Sequence, residues 1–308
     1  MKSLLSRTLP VFLLLASGSA AAQSSTPVTL TQIGELNIPE ANQGVGVDAE
    51  HFYAVDDRTI AKYTKAGNLV AKWEGPATGP IIHLDSATVV DGKIYAAHSN
   101  YRFFPMTSSI EVWDAKTMKH IGSHSLGIRL GSLTWLDKHD GHWWGTFANY
   151  DRTGRNPDGS NSTLPYGGKI NTTVVKFDKN WQVVQAWIFP LELLNKFADM
   201  SNSGGSWGPD GSLYLTGHDP AEVYKIRFPE AGSVIEVAQV IPANIRGQGI
   251  AWDHSNPGVL YGIIRATSAE LAAGGSHKVV VFQSNLRAER PDWDHRRDNP
   301  RRNDRFCP

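Results

Sequence analysis

The sequence has almost no cysteine and no excess of charge of either sign. Cys307 is the only cysteine among 308 residues, which excludes a disulfide framework, a CxxC redox site and a structural zinc site built on thiolates. Lys plus Arg equals Asp plus Glu at 30 each, so nothing global points to nucleic acid as a partner. No Walker-type loop is present, and a nucleotide cofactor is therefore not indicated.

The first 22 residues have the features of a cleaved signal peptide. Lys2 and Arg7 form a basic start, and Leu9 to Ala16 form a short apolar stretch. Ala20 to Ala22 then fit the small-residue rule for cleavage. The apolar stretch is too short to span a bilayer comfortably, which makes a retained anchor the less favoured alternative. We predict a periplasmic or secreted protein that begins near Gln23 and has no membrane span.

A short phrase recurs five times along the chain. Each copy places a small residue a few positions before an aspartate, and a run of apolar residues with Tyr or Trp follows. The small residues are Gly44, Ser86, Ser132, Gly205 and Gly249. They are separated by steps of 42, 46, 73 and 44 residues. A period of about 40 residues is typical of four-stranded propeller blades.

The repeat predicts an all-β protein, a β-propeller with five four-stranded blades. The long third step contains a Gly- and Asn-rich insertion at 152–169 and a predicted helix at Leu191–Met200. Six blades remain an alternative if that step hides a degenerate blade. The fifth unit lacks its fourth strand, and we expect the strand Val28–Asn37 to close the ring there and so remove two exposed edges.

Three segments follow from this division of the chain. The signal peptide covers 1–22, a single propeller domain covers 23–286, and a tail covers 287–308. The tail holds seven Arg with Asp, Asn and Pro and few apolar residues. Such a composition cannot bury enough surface to order itself, so we predict a disordered tail.

The first unit resembles a known repeat. It reads Gly44-Val-Gly-Val-Asp48, then Phe52-Tyr-Ala-Val-Asp56, then Ile60-Ala-Lys-Tyr63 and Gly67-Asn-Leu-Val-Ala-Lys-Trp73. This pattern is similar to the NHL and SMP-30/gluconolactonase-type propeller repeat, and the resemblance implies a propeller. Lactonases of that family hold a central divalent metal with a Glu that leads the first strand. Gln43 stands at that position here.

Unusual polar residues fall at two positions of the repeat that open on the same face of a propeller. The residues that lead the innermost strands are Gln43, His83, Asp85 and Gln248. Those that follow the second strands are His98, Asn100, Tyr101, Asn149, Tyr150, Asp151, His218 and Arg265. Surface residues without a common function would not recur at the same positions of a repeat. Long loops on a rigid frame are also where binding groups usually lie. We therefore predict one site at this mouth of the central channel.

The residue types suggest roles within that site. His98, His218 and Asp151 are candidate acid–base groups, and Arg265 is suited to a substrate carboxylate or phosphate. His83, His98, His218 and Asp85 form a candidate set of ligands for one divalent metal ion, Ca, Mg, Mn or Zn. The predicted substrate-binding residues are Gln43, Asn100, Tyr101, Asn149, Tyr150 and Gln248. The alternative for each histidine is a turn residue bonded to the backbone.

The pattern favours an exported enzyme, a hydrolase or lyase, that acts on a small polar or anionic substrate. A lactone or a uronic-acid-type sugar fits such a site, where a metal would act as a Lewis acid on the carbonyl or carboxylate. A non-catalytic propeller that binds a small molecule or a saccharide is the alternative. The residues after the second strands differ from blade to blade, which favours one asymmetric pocket over repeated lectin-like sites. We predict a monomer without a nucleic-acid partner.

Overall fold

The computed structural model describes residues 26–287 except Arg129, Tyr166 and Gly247. It is an all-β structure of five four-stranded antiparallel sheets arranged as a five-bladed propeller. The predicted signal peptide, its cleavage site and the Arg-rich tail from residue 288 onward lie outside the described residues. None of the described helices is long and apolar enough to cross a membrane.

Each blade runs from an innermost strand at the channel to an outermost strand. Blade 1 contains β2 (Gly44–Val47), β3 (His51–Asp56), β4 (Thr59–Thr64) and β5 (Leu69–Glu74). Blade 2 contains β6 (Leu84–Val90), β7 (Lys93–Ser99), β8 (Ser108–Asp114) and β9 (His120–Gly127). Blade 3 contains β10 (Ser132–His139), β11 (His142–Ala148), β14 (Thr173–Phe177) and β15 (Val183–Ile188). Blade 4 contains β16 (Asn202–Trp207), β17 (Leu213–Gly217), β18 (Glu222–Arg227) and β19 (Glu236–Pro242).

Blade 5 joins the two ends of the domain. It contains β20 (Ala251–Trp252), β21 (Val259–Ile264), β22 (Lys278–Ser284) and, outermost, β1 (Leu30–Asn37). β1 pairs antiparallel with β22, from Leu30 opposite Ser284 to Asn37 opposite Lys278. The prediction that an N-terminal strand completes the last blade is confirmed, and the ring has five blades rather than six.

The long third step of the repeat is an insertion and not a hidden blade. It holds a hairpin of β12 (Thr153–Arg155) and β13 (Asn161–Pro165), followed by a single 3-10 turn at Lys169–Asn171. The predicted helix is shorter than expected, since α1 covers only Leu191–Asn195. A second short helix, α2 (Ser268–Ala272), lies between β21 and β22.

Glycine is required in two copies of the repeated phrase for a steric reason. The innermost strands approach one another around a narrow channel, and a Cβ on Gly44 would lie 2.6 Å from the carbonyl oxygen of Asp85. A Cβ on Gly249 would lie 2.7 Å from the Cα of Gly44. Distances this short are not tolerated between non-bonded atoms, so Gly44 and Gly249 leave room where blades meet that a residue with a Cβ would fill.

Large aromatic side chains fill the spaces between blades. Trp113 and Trp135 are fully buried, and Trp252 is 2% exposed. The indole Nε1 of Trp135 in blade 3 donates to Asn202 Oδ1 of blade 4 at 2.8 Å. Burial of such rings supplies much of the packing energy that a domain without disulfides requires.

A buried aspartate joins blades at the end of the channel where the innermost strands finish. Asp137 Oδ2 accepts hydrogen bonds from the hydroxyl of Ser206 at 2.8 Å and from the backbone amide of Trp207 at 2.7 Å. Its Oδ1 accepts from Thr88 of blade 2 at 3.3 Å and lies 3.8 Å from His254 Nε2 of blade 5. Asp137 therefore connects blade 3 to three other blades.

Candidate functional site

A cavity of about 700 Å³ opens at the end of the channel where the innermost strands begin. Its floor comes from residues that lead those strands, namely Gln43, His83, Asp85, Ser203 and Gln248. Its walls come from residues that follow the second strands and from the insertion in blade 3. These wall residues include Tyr101, Arg102, Tyr150, Arg152, Arg155, His218, Asp219 and Arg265.

The cavity brings together eight of the twelve residues that the sequence predicts for the site. They are Gln43, His83, Asp85, Tyr101, Tyr150, His218, Gln248 and Arg265. They reach the cavity because strands β2, β6 and β20 start at this end while β7, β11, β17 and β21 end there. The roles predicted for these residues depend on their contacts within the cavity.

A histidine held between two carboxylates forms the centre of the floor. His83 Nδ1 lies 2.7 Å from Asp57 Oδ1, and His83 Nε2 lies 3.3 Å from Asp85 Oδ1. Asp57 Oδ1 also accepts a hydrogen bond from Gln43 Nε2 at 2.8 Å. The row Asp57–His83–Asp85 thus links blade 1 to blade 2 and continues to Gln43.

The charges in this row alter the acidity of every member. Burial opposes protonation of His83, but Asp85 and Asp57 outweigh it and raise the pKa of His83 to about 10. Burial raises the pKa of Asp85 more than the neighbouring His83 lowers it. For Asp57, burial is outweighed by the hydrogen bond and the charge of His83, which hold its pKa below the usual range. At neutral pH His83 is therefore a protonated imidazolium, paired with Asp57 and Asp85.

Two buried oxygen atoms on the floor have no hydrogen-bond partner among the described residues. They are Oδ2 of Asp85 and Oε1 of Gln43. Asp85 as a whole is 2% exposed and Gln43 is 3% exposed. A buried acceptor without a donor costs about 1–3 kcal/mol. Such atoms in a native fold point to a partner that the described residues do not supply, and here that partner must donate hydrogen bonds.

Arg265 lies on the wall next to a second histidine. Its Nη1 is 3.4 Å from His218 Nε2, and His218 Nδ1 is 2.8 Å from Asp219 Oδ1. Because the guanidinium can only donate, Nε2 acts as the acceptor and Nδ1 carries the proton that bonds Asp219. The His218 ring thereby orients Arg265.

Two tyrosines form an aromatic side to the cavity. The rings of Tyr101 and Tyr150 are 5.2 Å apart, and the ring of Tyr101 is 5.1 Å from the imidazole of His83. Aromatic faces opposite polar groups are a common way to hold a ligand with both C–H and hydroxyl surfaces.

His98 lies outside this cavity. Its Nε2 accepts a hydrogen bond from the backbone amide of Ile82 at 3.2 Å, and its Nδ1 lies 2.8 Å from Ser109 Oγ. Burial lowers the pKa of His98 to about 4, so it is neutral at physiological pH. It lines a separate cavity of about 450 Å³ between blades 1 and 2. His98 lies within strand β7 rather than in a turn, and its bond with the Ile82 amide fixes the backbone next to His83.

Three other predicted site residues hold loops rather than line the cavity. Asn100 accepts from the amide of Thr107 at 2.7 Å and donates to the carbonyl of Pro105 at 2.9 Å. Asn149 donates to the carbonyls of Leu130 and Asn171. Asp151 Oδ1 accepts from the amide of Lys169 at 2.9 Å. The long loops of blades 2 and 3 depend on these bonds for their shape.

The predicted metal ligands do not converge on one point. Across the described ranges, no group of three or more His, Cys, Asp or Glu side chains is arranged to hold a metal ion. Both nitrogens of His98 are bonded to protein groups, and His218 faces Arg265, whose charge opposes a cation beside it. The donor set therefore does not fit a three-histidine centre, and a bound metal stays a prediction without a step assigned to it below.

Sequence reasoning missed several residues of the cavity. Arg102, Arg152 and Arg155 come from the long loops of blades 2 and 3, and the length of those loops was the available signal. Asp57 follows β3, and its pairing with His83 crosses from one blade to the next, where no spacing within a repeat can predict it. The letters Gly204-Gly-Ser-Trp-Gly208 also match a GxSxG motif, yet Ser206 lies within β16 and donates to Asp137. That geometry is not a nucleophile elbow, which requires a strand-to-helix turn.

Comparisons with known proteins found distant structural similarity alone. No protein-family model and no curated protein matches the chain. It is similar to the WD40 repeats of RRP9, with 11% identity, a TM-score of 0.43, and coverage of 78% of this chain and 79% of that chain. It is similar to a chain of a mitotic checkpoint complex, with 9% identity, a TM-score of 0.44, and coverage of 90% and 98%.

A third similar structure is the PQQ-bound form of an aldose sugar dehydrogenase from Streptomyces coelicolor. The identity is 11%, the TM-score is 0.44, and the match covers 84% of this chain and 99% of that chain. Similarity at this level carries no argument about function, and the NHL or SMP-30 assignment stays a prediction. On its own sheet topology, the chain is a five-bladed β-propeller with one asymmetric polar cavity at the channel mouth.

Proposed function

We propose that the channel mouth is the active site of a hydrolase or lyase for a small, hydroxylated anionic substrate, such as a sugar lactone or a uronic-acid-type sugar. The observation that carries this proposal is the unpartnered Oδ2 of Asp85, buried beside the imidazolium of His83. A carboxylate whose pKa is raised by burial is a stronger base than an exposed one, which suits proton transfer near neutral pH.

Asp85 is the proposed general base, and His83 is a positioning residue. In hydrolysis of a lactone, a water oxygen bonds to the acyl carbon as its proton passes to Asp85 Oδ2. The ring C–O bond then breaks, and the leaving oxygen takes that proton from Asp85. The positive charge of His83 favours the ionised form of Asp85 and orients it, and Asp57 holds the His83 ring in place, much as a buried acid orients a histidine in other sites.

The same groups support elimination from a uronic acid. Asp85 Oδ2 takes the proton from the carbon next to the carboxylate, the electron pair forms a C=C bond, and the C–O bond at the following carbon breaks. The leaving oxygen then takes the proton. Arg265 would neutralise the substrate carboxylate, which makes the C–H proton easier to remove. Gln43 Oε1 would accept a substrate hydroxyl.

A binding function without catalysis is the second candidate, and one observation favours it. Both ring nitrogens of His83 already face carboxylates, and its pKa of about 10 keeps it protonated. His83 is therefore unable to act as a base at neutral pH, so all proton transfer in the first proposal depends on Asp85. A receptor would need the same donors and charges but no base.

The test is a substrate screen with purified protein, run with and without a chelator. Aldonolactones are followed by acid release, and oligouronides by the ultraviolet absorbance of the new double bond. We expect turnover that Asp85→Asn lowers at least 100-fold, while Asp91→Asn, an exposed turn residue of the same blade, leaves it unchanged. Tight binding without turnover in any assay would favour the receptor, and an active Asp85→Asn protein would overturn the assignment of the base.

A further inference from the structure

Resting on the proposed function, we propose that the natural ligand carries two anionic groups, held by two separate arginine walls, with a hydroxylated spacer between them. A disaccharide of two uronic acids has this chemistry. A ligand with one anionic group would engage only one of the walls.

The first wall belongs to blade 5 and centres on Arg265. Its backbone is clamped by a neighbouring arginine, because the amide of Arg265 donates to the carbonyl of Arg246 at 2.6 Å and Arg246 Nε donates to the carbonyl of Arg265 at 2.9 Å. His218 accepts from its side chain. This arrangement fixes one guanidinium at the cavity before any ligand arrives, which reduces the entropy cost of binding.

The second wall joins the loops of blades 2 and 3. The amide of Arg155 donates to the carbonyl of Arg102 at 2.7 Å, and the amide of Phe104 donates to the carbonyl of Arg155 at 2.7 Å. Strand β12 thereby extends the loop of blade 2, and the joined segments place Arg102, Arg152 and Arg155 on one side of the cavity.

One acidic residue of the cavity lining partly offsets this second wall. Asp199 Oδ2 lies 3.9 Å from Arg152 Nε, and Arg152 Nη1 lies 3.0 Å from Met200 Sδ. The charged side chains that line this wall are these three guanidinium groups and the one carboxylate of Asp199. Arginine groups in such a cluster favour carboxylates, which they bind through paired hydrogen bonds.

The blade number puts the blades that carry the two walls on opposite sides of the channel. In a ring of five, the point opposite blade 5 lies between blades 2 and 3, and those are the blades that supply the second wall. The floor between the walls carries uncharged Gln43, Ser203 and Gln248 and the two unpartnered acceptor oxygens of Gln43 and Asp85. Anionic groups suit the ends of this cavity, and hydroxyl donors suit its middle.

The size of the cavity agrees with a ligand longer than one sugar ring. About 700 Å³ falls within the range of pockets that enclose drug-sized molecules. A ligand that reaches both walls gains a second charge-assisted contact without a second loss of translational freedom, so its affinity rises steeply.

Calorimetry on the whole protein tests the proposal with four probes: galacturonate, digalacturonate, the short dianion galactarate, and a neutral disaccharide. We expect digalacturonate to bind at least tenfold more tightly than galacturonate, and the neutral disaccharide to bind weakest. Tighter binding of galactarate than of digalacturonate would retain two anionic groups but assign a short dicarboxylate as the source.

Two outcomes would overturn the inference and are distinguishable from each other. Equal affinity for galacturonate and digalacturonate would show that the protein does not bind a second anionic group, but it would not contradict the proposed function. Failure of every acidic probe to bind would remove both proposals together. Ionic strength gives a further measurement on the unaltered protein, because the affinity for a dianion should fall more steeply with salt.

Substitutions of single arginines or pairs of arginines test which residues form the two walls. The double substitution Arg152→Gln with Arg155→Gln should bring the affinity ratio of digalacturonate to galacturonate close to one. Arg265→Gln should weaken both ligands by about tenfold or more. Arg227→Gln, on the exposed surface of β18, is the matched control and should alter neither ligand. If the double variant weakened both ligands equally, the second wall would not be a separate anion site.

Discussion

Asp57 Oδ1 lies 2.7 Å from His83 Nδ1, on the side of the imidazole ring opposite Asp85. A protonated histidine between two carboxylates is stabilised by the fold, because neither carboxylate is held near it in the unfolded chain. This single pairing connects the stability of the protein to the ionisation of its candidate site.

The first prediction concerns stability at high pH. The pKa of His83 is about 10 in the folded protein against 6.5 for an ordinary histidine. Its contribution is therefore fully present below pH 6.5 and is lost as the pH rises through 10. A difference of this size between the two pKa values corresponds to on the order of 5 kcal/mol. Urea unfolding from pH 6 to 10 measures it.

Asp57→Asn is the variant that isolates this effect. It removes one of the two charges that raise the pKa of His83, so the variant should lose less stability between pH 6 and 10 than the unaltered protein. The chemical shift of the His83 ring in NMR reports its ionisation directly. A His83 resonance that titrates near pH 6.5 in the unaltered protein would contradict the assignment.

The second prediction concerns Asp137 at the opposite end of the channel. Asp137→Asn places an amide where Ser206, Trp207 and Thr88 all donate. We expect a loss of about 3 kcal/mol in the free energy of unfolding, since a buried donor would face other donors. Asp91→Asn, on an exposed turn, is the control and should change stability by less than about 0.5 kcal/mol.

The same variant also has a pH signature. Burial alone would raise the pKa of Asp137, but the nearby His254 ring and hydrogen bonds from Trp207 and Ser206 hold it below the usual 3.8. The stabilisation is present above pH 3.8 and is lost as the pH falls through the lower folded value. The stability difference between the two proteins should therefore shrink in strong acid, and a constant difference would argue against an ionised Asp137.

The third prediction concerns the glycines of the innermost strands. A Cβ on Gly205 would lie 2.4 Å from the ring of Trp135, which is fully buried and bonded to Asn202. We expect Gly205→Ala to destabilise by about 1–3 kcal/mol through overpacking. Gly122→Ala is the matched control, because its nearest neighbour would be Val112 Cβ at 3.8 Å. Equal thermal stability of the two variants would contradict the close contact.

The fourth prediction concerns closure of the ring. Deleting residues 26–37 removes β1 and exposes the edge of β22, so we expect loss of cooperative unfolding and association through that edge. A circular permutant that starts at Ile38 and carries residues 26–37 after residue 287 should restore the fold. The two ends are close, since Asn285 Nδ2 donates to the carbonyl of Pro27 at 2.9 Å. Size-exclusion chromatography and circular dichroism distinguish these outcomes.

The candidate site contains both positions that the sequence predicts and side-chain directions that it does not. The repeat placed Gln43, Asp85 and Gln248 at the start of innermost strands, and the structure confirms those positions because strand order within a blade is local. The same periodicity put His98 and His218 at equivalent positions of the repeat. In the structure His98 faces the cavity between blades 1 and 2, whereas His218 faces the channel mouth. The difference arises because His98 bonds to Ile82 and Ser109, a choice of side-chain direction that no spacing encodes.

Periodicity by itself determined the all-β class and predicted the closing strand and five blades over six, because each depends on where apolar runs and tight turns recur along the chain; the structure then excluded a sixth blade in the long third step. The tertiary structure decided which polar side chains meet. Asp57 contacts His83 across two blades, and Arg155 joins the loop of blade 2 from an insertion in blade 3. These contacts depend on the angle between blades and on competition among hydrogen-bond partners, and both are properties of the closed ring rather than of any one repeat.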